Sequence, residues 1–406
     1  MDLLTTTIQP YDWGSTTALA ELMGIPPTGE PQAELWLGAH PAAPSHVDRG
    51  QGPIALDELL AASPMAELGP ALARRFGPRL PFLLKVLAVD TPLSVQVHPD
   101  LAQAAAGFAR ENALGIPLDA PHRTYRDDQH KPEMIVALTR FQALCGFRAP
   151  ERCAGLLELL DVPDLTPYAA ALRARPGDAA LREVFTAFLT APTALLTAVT
   201  EAVRRTSADG GPYEADLAAY AAITYAHPDD PGLLPALMLN HVELEPGQAL
   251  FLGAGIAHAY LSGLGVEIMA SSDNVLRCGL TSKHVDAAEL LEIVRFTAFP
   301  VRALAARWDA ATGEHVYPAP VDDFSLSRFD LVRTDAPRTL MADAPQIVLC
   351  VRGEATVASE GRSVPLGPGR AVYAPAGDTL RLSGEGKVFR ATSAVRTRPR
   401  QGGPTP

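Results

Sequence analysis

The chain has 406 residues, a formal net charge of −12, 47% hydrophobic residues and 20% charged residues. That acidic balance disfavours nucleic acid and anionic membrane surfaces as partners, and no uninterrupted apolar run approaches the roughly 18 residues needed to cross a bilayer. The length exceeds one ordinary core, which suggests about two to three domains. The 37 prolines and 32 glycines imply frequent corners. Cys145, Cys153, Cys278 and Cys350 show no CxxC spacing, and Met1-Asp2-Leu3-Leu4-Thr5 lacks a basic region and an apolar core. A reduced, cytoplasmic protein with free thiols is expected.

From Tyr11 to Arg148, Pro and Gly break the chain every few residues, with short runs such as Ala33 to Leu37 and Phe82 to Leu87 between turns. This stretch reads as mostly β. Between Pro150 and about Leu239 the texture turns Ala- and Leu-rich with helical spacing, as in Ala180 to Leu189 and Thr193 to Val203. Gly210-Gly211-Pro212 separates these from a further helix over Tyr213 to Tyr225, and strands return from His241. The helical block thus reads as an insert between β segments. The last residues, Arg396-Thr397-Arg398-Pro399-Arg400, have the composition of a basic, frayed tail.

Within the first β segment, Ser94-Val95-Gln96-Val97-His98-Pro99 alternates, so Ser94, Gln96 and His98 share one strand face and Val95 and Val97 the other. An amide oxygen and an imidazole two residues apart form a possible metal-binding pair, although half-exposed strands alternate in this way by default. In Gln129-His130-Lys131-Pro132-Glu133-Met134, Lys131 and Glu133 share a face if the segment is extended, and Pro132 marks an edge or a bend. His258 follows a glycine turn in Gly255-Ile256-Ala257-His258. A lone histidine there is more often a satisfied core residue. Together, Gln96, His98, Glu133 and His258 supply two imidazoles, a carboxylate and an amide, a mixed set suited to Zn²⁺.

The chain also repeats itself. Pro246 to Gly255 aligns without gaps on Pro368 to Gly377 at an offset of 122, with five identities in ten positions. Pro-Gly, an apolar strand and a second glycine turn form the pattern of a hairpin corner in a small barrel. His258 then falls opposite Leu380, so the second copy is expected to lack the metal and to be structural.

These segments carry a resemblance to the type I phosphomannose isomerases, zinc enzymes of the cupin superfamily. It runs in order through Tyr11-Asp12-Trp13-Gly14-Ser15, Ala33 to Pro41, Leu93 to Asp100, His130 to Met134, Ala143 to Phe147, His258 to Gly263 and Ser272 to Thr281. The resemblance implies two cupin jelly-roll barrels and an α-helical domain in a mainly β fold. The first barrel would be built from residues 1–149 and 240–300, the helical domain from 150–239, a metal-free cupin from 301–395 and a flexible tail from 396–406. It further implies that Gln96, His98, Glu133 and His258 hold one Zn²⁺ per chain, that Arg277 is catalytic, and that the protein is a monomer acting on a sugar phosphate. Thr281-Ser282-Lys283-His284 departs from the family's usual Thr-Pro-Lys, but the lysine survives.

The implied reaction interconverts D-mannose 6-phosphate and D-fructose 6-phosphate through a cis-enediol or enediolate. A divalent ion polarises the substrate oxygens, and Arg277 is suited to an oxyanion. Ser94, Lys85 and Lys283 are the positions offered for the phosphate. Lys131, His130, Glu267 and Asp273 are the candidates for proton transfer, with Lys131 favoured because it shares parity with Glu133. An iron cupin dioxygenase and a non-enzymatic sugar-phosphate-binding cupin are the rival readings.

Overall fold

The computed structural model describes residues 1–206 and 211–395; the expected tail at 396–406 lies outside the described residues. Two antiparallel sheets dominate, one of ten and one of nine strands among the described residues, with a separate two-stranded ribbon of His46–Asp48 and Pro53–Ala55. The helical layer between Pro150 and Ala236 packs on the first sheet. Among the described residues no single helix is long and apolar enough to cross a membrane; Asp178–Leu189 and Thr193–Thr206 reach that composition only as a pair bent by 105°.

The strand Phe82–Val89 shows why the sheets are inseparable. All eight of its residues are buried. Leu84 and Val86 face a core that also contains Tyr317, Phe324, Leu326, Ile347 and Phe389 of the second sheet. Leu87 and Val89 face inward, into a core with Ile135, Phe141 and Tyr260. A strand buried on both faces reads as a continuous apolar run, so Lys85 in its middle stands out as a charge with an internal task.

Val95–Val97 illustrates the alternation in three dimensions. Val95 and Val97 are buried in the same core as Phe185, Phe188, Val199 and Leu217 of the helical layer. Gln96 is half-buried between them and lines a cleft on the other side. The helices therefore cap the back of the strand that presents the site.

The repeat is visible in the pairing. Gly247, Gly255, Gly369 and Gly377 all have positive φ, at 92°, 78°, 78° and 86°, a conformation in which a Cβ would be strained. Ala249–Leu252 pairs with Glu133–Ala137, and Ala371–Ala374 pairs with the start of Gln346–Ser359. Glu133 lies opposite Leu252 and Gln346 opposite Ala374, so Gln346 holds in the second sheet the place of Glu133 in the first. Ile135 likewise faces Glu267 as Val348 faces Arg390.

Six helices fall in β-rich stretches where no helix was expected, Ala18–Met23, Leu56–Ala62, Pro64–Glu67, Gly69–Phe76, Leu101–Ala113 and Ala287–Ile293. The longest has a clear local cause. Asp100 accepts a hydrogen bond from the Gln103 amide while the Gln103 side chain accepts from the Asp100 backbone, a reciprocal cap that satisfies two otherwise orphaned donors.

Candidate metal centre

A cleft of about 1480 Å³ opens between the first sheet and the loops around it, and Gln96, Lys131, Glu133, His258, Glu267 and Arg277 are among the residues that line it. Strand register builds its floor. His258 and Arg277 lie opposite Gln96 from its two neighbouring strands, so three residues distant in sequence stand in one row across the sheet. Directly opposite residues on an antiparallel pair project to the same face.

His98, Glu133 and His258 bring ligand-type atoms within 4.8 Å of one another, and all three are buried. His98 Nδ1 lies 2.8 Å from the Asn274 carbonyl and His258 Nδ1 lies 2.9 Å from the Ile256 carbonyl. A ring nitrogen can only donate to a carbonyl, so both Nδ1 atoms carry a proton and Nε2 is the ligand-type atom of each ring. Those Nε2 atoms are 3.3 and 3.4 Å from the two Glu133 oxygens. His98 Nε2 is buried and makes no hydrogen bond. A buried His98 lone pair turned toward a carboxylate is unfavourable unless a cation lies between them.

Protonation agrees with this. Burial, only partly offset by Glu133, pulls the His98 imidazolium down to about 4, so the ring is neutral near pH 7. Burial pushes the Glu133 carboxyl up, but the Lys131 ammonium at 3.2 Å and the two histidines hold it well below the ordinary carboxylate range. Gln96 adds a fourth donor atom. Its amide nitrogen donates to Ser94 Oγ at 3.0 Å, which leaves the amide oxygen for another partner. Two imidazoles, a carboxylate and an amide oxygen form a donor set that fits Zn²⁺.

A second charged group lies beside this one. Lys85 Nζ is 3.1 Å from Glu34 and 3.5 Å from Glu267, and it stands 5.0 Å from the centre of the Trp36 ring. Burial disfavours its charge, but Glu34 and Glu267 more than offset this, and Lys85 stays protonated. Glu267 itself is pushed up to about 7, first by burial and then by the neighbouring carboxylates, with Lys85 opposing. Asp273 lines the cleft with its carboxylate 3.2 Å from His40 Nε2; burial raises its pKa, but the His40 contact prevails and holds it below the ordinary value. Asp273 does not pair with Arg277.

The Arg277 side chain makes no hydrogen bond or ion pair with the described residues, although its backbone lies in the strand pair with Val95–Val97. Burial and then the positive field of Arg126 lower its pKa; burial, Arg277 and Arg126 do the same to Lys283. Arg126, Arg277 and Lys283 all line the cleft. Like charges gathered without carboxylate partners are a ready receptor for a dianion. Lys85 stands apart from this group, its charge already matched by two carboxylates. His130 is not among the cleft-lining residues: its Nε2 lies 3.0 Å from Asp323, in the loop before the strand Ser325–Leu331 of the second sheet. The alternation that puts Lys131 and Glu133 on one face places His130 on the other.

Sequence reasoning passed over Arg126, Glu34, His40 and Asn274. Glu34 was visible as a carboxylate in a run that otherwise looked like a core strand. Arg126 sits in a loop whose shape comes from distant residues: its backbone N–H donates to the Asn274 side chain, and Asp127 accepts from Ser272, Asp273 and Asn274.

In the second sheet the corresponding place is filled from within. Arg390 donates to Gln346 and to Glu314, each at 2.7 Å, and all three residues are buried. An arginine replaces Glu267, Gln346 replaces Glu133, and no metal-type cluster forms there among the described residues.

Comparison with known proteins gives matches along nearly the whole chain. Residues 1–150 match the family model for the catalytic domain of type I phosphomannose isomerase, and residues 313–393 match that for the cupin domain of mannose-6-phosphate isomerase. The mannose-6-phosphate isomerase of Escherichia coli is 39% identical over 96% of this chain and 99% of its own length. The mouse mannose-6-phosphate isomerase is 31% identical over 93% and 94%. A crystal structure of the Salmonella typhimurium enzyme bound to its substrate and to zinc is 37% identical, with a TM-score of 0.89 over 97% of this chain and all of that one.

Proposed function

The chain belongs to the type I phosphomannose isomerase family, and from that premise we propose that it interconverts D-mannose 6-phosphate and D-fructose 6-phosphate at the cleft described above. The observation that carries the reading is the pair His98 and His258, each held through Nδ1 by a backbone carbonyl and each facing Glu133 through Nε2, in a cleft shared with an unpaired arginine. We assign Gln96, His98, Glu133 and His258 as the ligands of one Zn²⁺. The ion, when bound, supplies Lewis acidity toward the sugar oxygens and lowers the cost of developing negative charge.

The remaining steps belong to the chain's own side chains. Arg126 and Lys283 bind the phosphate, and Arg277, which shares their cleft, belongs to the row that holds Gln96 and His258. A base removes the C2 proton of the open-chain aldehyde, and the electron pair forms the C1–C2 double bond as charge moves to the C1 oxygen. Arg277, always protonated, stabilises that enediolate. Returning the proton to C1 while the C2 hydroxyl proton passes to the C1 oxygen leaves a ketone at C2 and a hydroxyl at C1. Glu267 is the best placed base: it lines the cleft, it is buried, and a carboxyl near 7 is poised for proton transfer at neutral pH. Lys131, at 3.2 Å from Glu133, and Asp273, oriented by His40, both line the cleft and are assigned the proton relay between the two oxygens. Ser94 fixes the Gln96 amide, and Lys85 balances Glu267 against Glu34.

For the architecture, we propose that each sheet is one jelly-roll barrel, divided as 1–149 with 240–300 and 301–395, with residues 150–239 as the helical domain. The activity is tested by a coupled assay for fructose 6-phosphate formed from mannose 6-phosphate, with metal quantified in the same sample. Turnover that persists after complete metal removal rules the zinc mechanism out.

A further inference from the structure

The second sheet has no metal-type cluster among the described residues, yet a carboxylate in the loop leading into its strand Ser325–Leu331 reaches the catalytic segment. Asp323 is buried, and both its oxygens lie within hydrogen-bond distance of His130 Nε2, at 3.1 and 3.0 Å. The Asp323 loop is itself braced. The Asp322 carbonyl accepts from Ser393 Oγ at 2.9 Å and from the Ala394 backbone at 3.1 Å, and Phe324 is fully buried in the core that the two sheets share. His130 begins the run His130-Lys131-Pro132-Glu133, in which Pro132 fixes one backbone torsion and its carbonyl accepts from the Ala270 backbone at 3.0 Å. Lys131 and Glu133, which emerge on the opposite side, touch each other at 3.2 Å in the cleft.

We propose that His130 is a positioning residue rather than an acid or base. It pins the Lys131–Glu133 segment to Asp323, so the second sheet fixes the geometry of the metal-side carboxylate. A role in proton transfer requires the ring to reach substrate, and His130 does not line the cleft. The pin also gives the second sheet a catalytic use without a metal of its own. Partners that orient metal ligands contribute about 10- to 100-fold to metal affinity or activity.

The inference rests on the isomerase reading, which turnover by the zinc-loaded wild-type protein tests without any variant. Four variants test the pin: His130→Ala, His130→Gln, Asp323→Ala and the double alanine. Three quantities are read: kcat and KM separately, zinc affinity of the metal-free protein by competition with a chromophoric chelator, and the urea midpoint. The two single alanines are expected to lower kcat and zinc affinity by about 10-fold each while KM stays close to wild type. The double variant should be no worse than the poorer single, because both remove one contact. His130→Gln, which keeps an N–H for Asp323, should recover most of the loss in both quantities. A glutamine variant as inactive as the alanine one, with zinc affinity intact, assigns His130 to proton transfer and overturns the proposal. So does wild-type kcat and zinc affinity in Asp323→Ala. If Asp323→Ala fails to fold, Asp323→Asn retains an acceptor oxygen and should recover zinc affinity; a folded Asn variant as weak as His130→Ala in zinc binding also overturns it.

Discussion

Gln96 and His258 stand directly opposite each other where Val95–Val97 meets His258–Ala270, and Arg277 faces Gln96 from its other side. Two metal-type donors and an unpaired arginine thus share one row on a rigid sheet. Placement on strands holds such a constellation more firmly than loops do.

That row makes metal loss and activity loss inseparable. His258→Ala should bind less than one zinc per chain and lose turnover in proportion, while its fold persists because the core around Ala257 and Ala259 is apolar. Chelation of the wild-type protein should abolish activity and zinc add-back restore it. Metal analysis with the coupled assay checks both, and full activity in a zinc-free His258→Ala protein contradicts the ligand assignment.

The cationic trio should separate binding from chemistry. Arg126→Ala removes one charge-assisted phosphate contact, worth roughly 1.5–3 kcal/mol, which corresponds to a rise in KM of about 10-fold or more with kcat little changed. Arg277→Lys should instead lower kcat, because a lysine cannot present two parallel donors to the enediolate. Steady-state kinetics at fixed ionic strength distinguishes these, and equal effects of both variants on KM alone would remove Arg277 from the chemical step.

Two buried groups give the metal-free protein opposing pH dependences. His98 falls from 6.5 to about 4 on folding, so its stabilising contribution is present above pH 6.5 and is lost as pH falls toward 4. Glu267 rises from 4.5 to about 7, so its contribution is present below pH 4.5 and is lost as pH rises through 7. Between pH 4.5 and 6.5 the two slopes oppose each other. Glu267→Gln removes one of them, and its urea midpoint should rise with pH over that interval more steeply than that of the wild type. Identical pH profiles would show that Glu267 is not protonated in the fold at neutral pH.

Arg390 should matter for stability and not for chemistry. Arg390→Met leaves Glu314 buried without its partner, a loss of roughly 3–5 kcal/mol. Replacing Glu314 by Gln in the same protein removes the stranded charge and should return part of that stability. Denaturant unfolding reads both, and kcat of the folded fraction should match the wild type. A change in kcat would connect the second sheet's buried arginine to the site.

The sequence alone marked the metal-type residues and Arg277, but not Arg126 or Glu34, which also line the cleft. Strand parity put Ser94, Gln96 and His98 on one face, and Val95 and Val97 against the helices, because alternation is a local property of an extended chain. The Pro-Gly repeat marked the second copy, since positive-φ turns demand the same residues wherever they recur. Register was not legible. That His258 falls opposite Gln96, that Arg126 joins Arg277 and Lys283, and that His130 turns to Asp323 depend on pairings between segments far apart in the chain. Only the tertiary structure decided these, because long-range pairing is fixed by the packing of whole sheets and the burial of their shared core, whereas local pattern records only which face each residue will take.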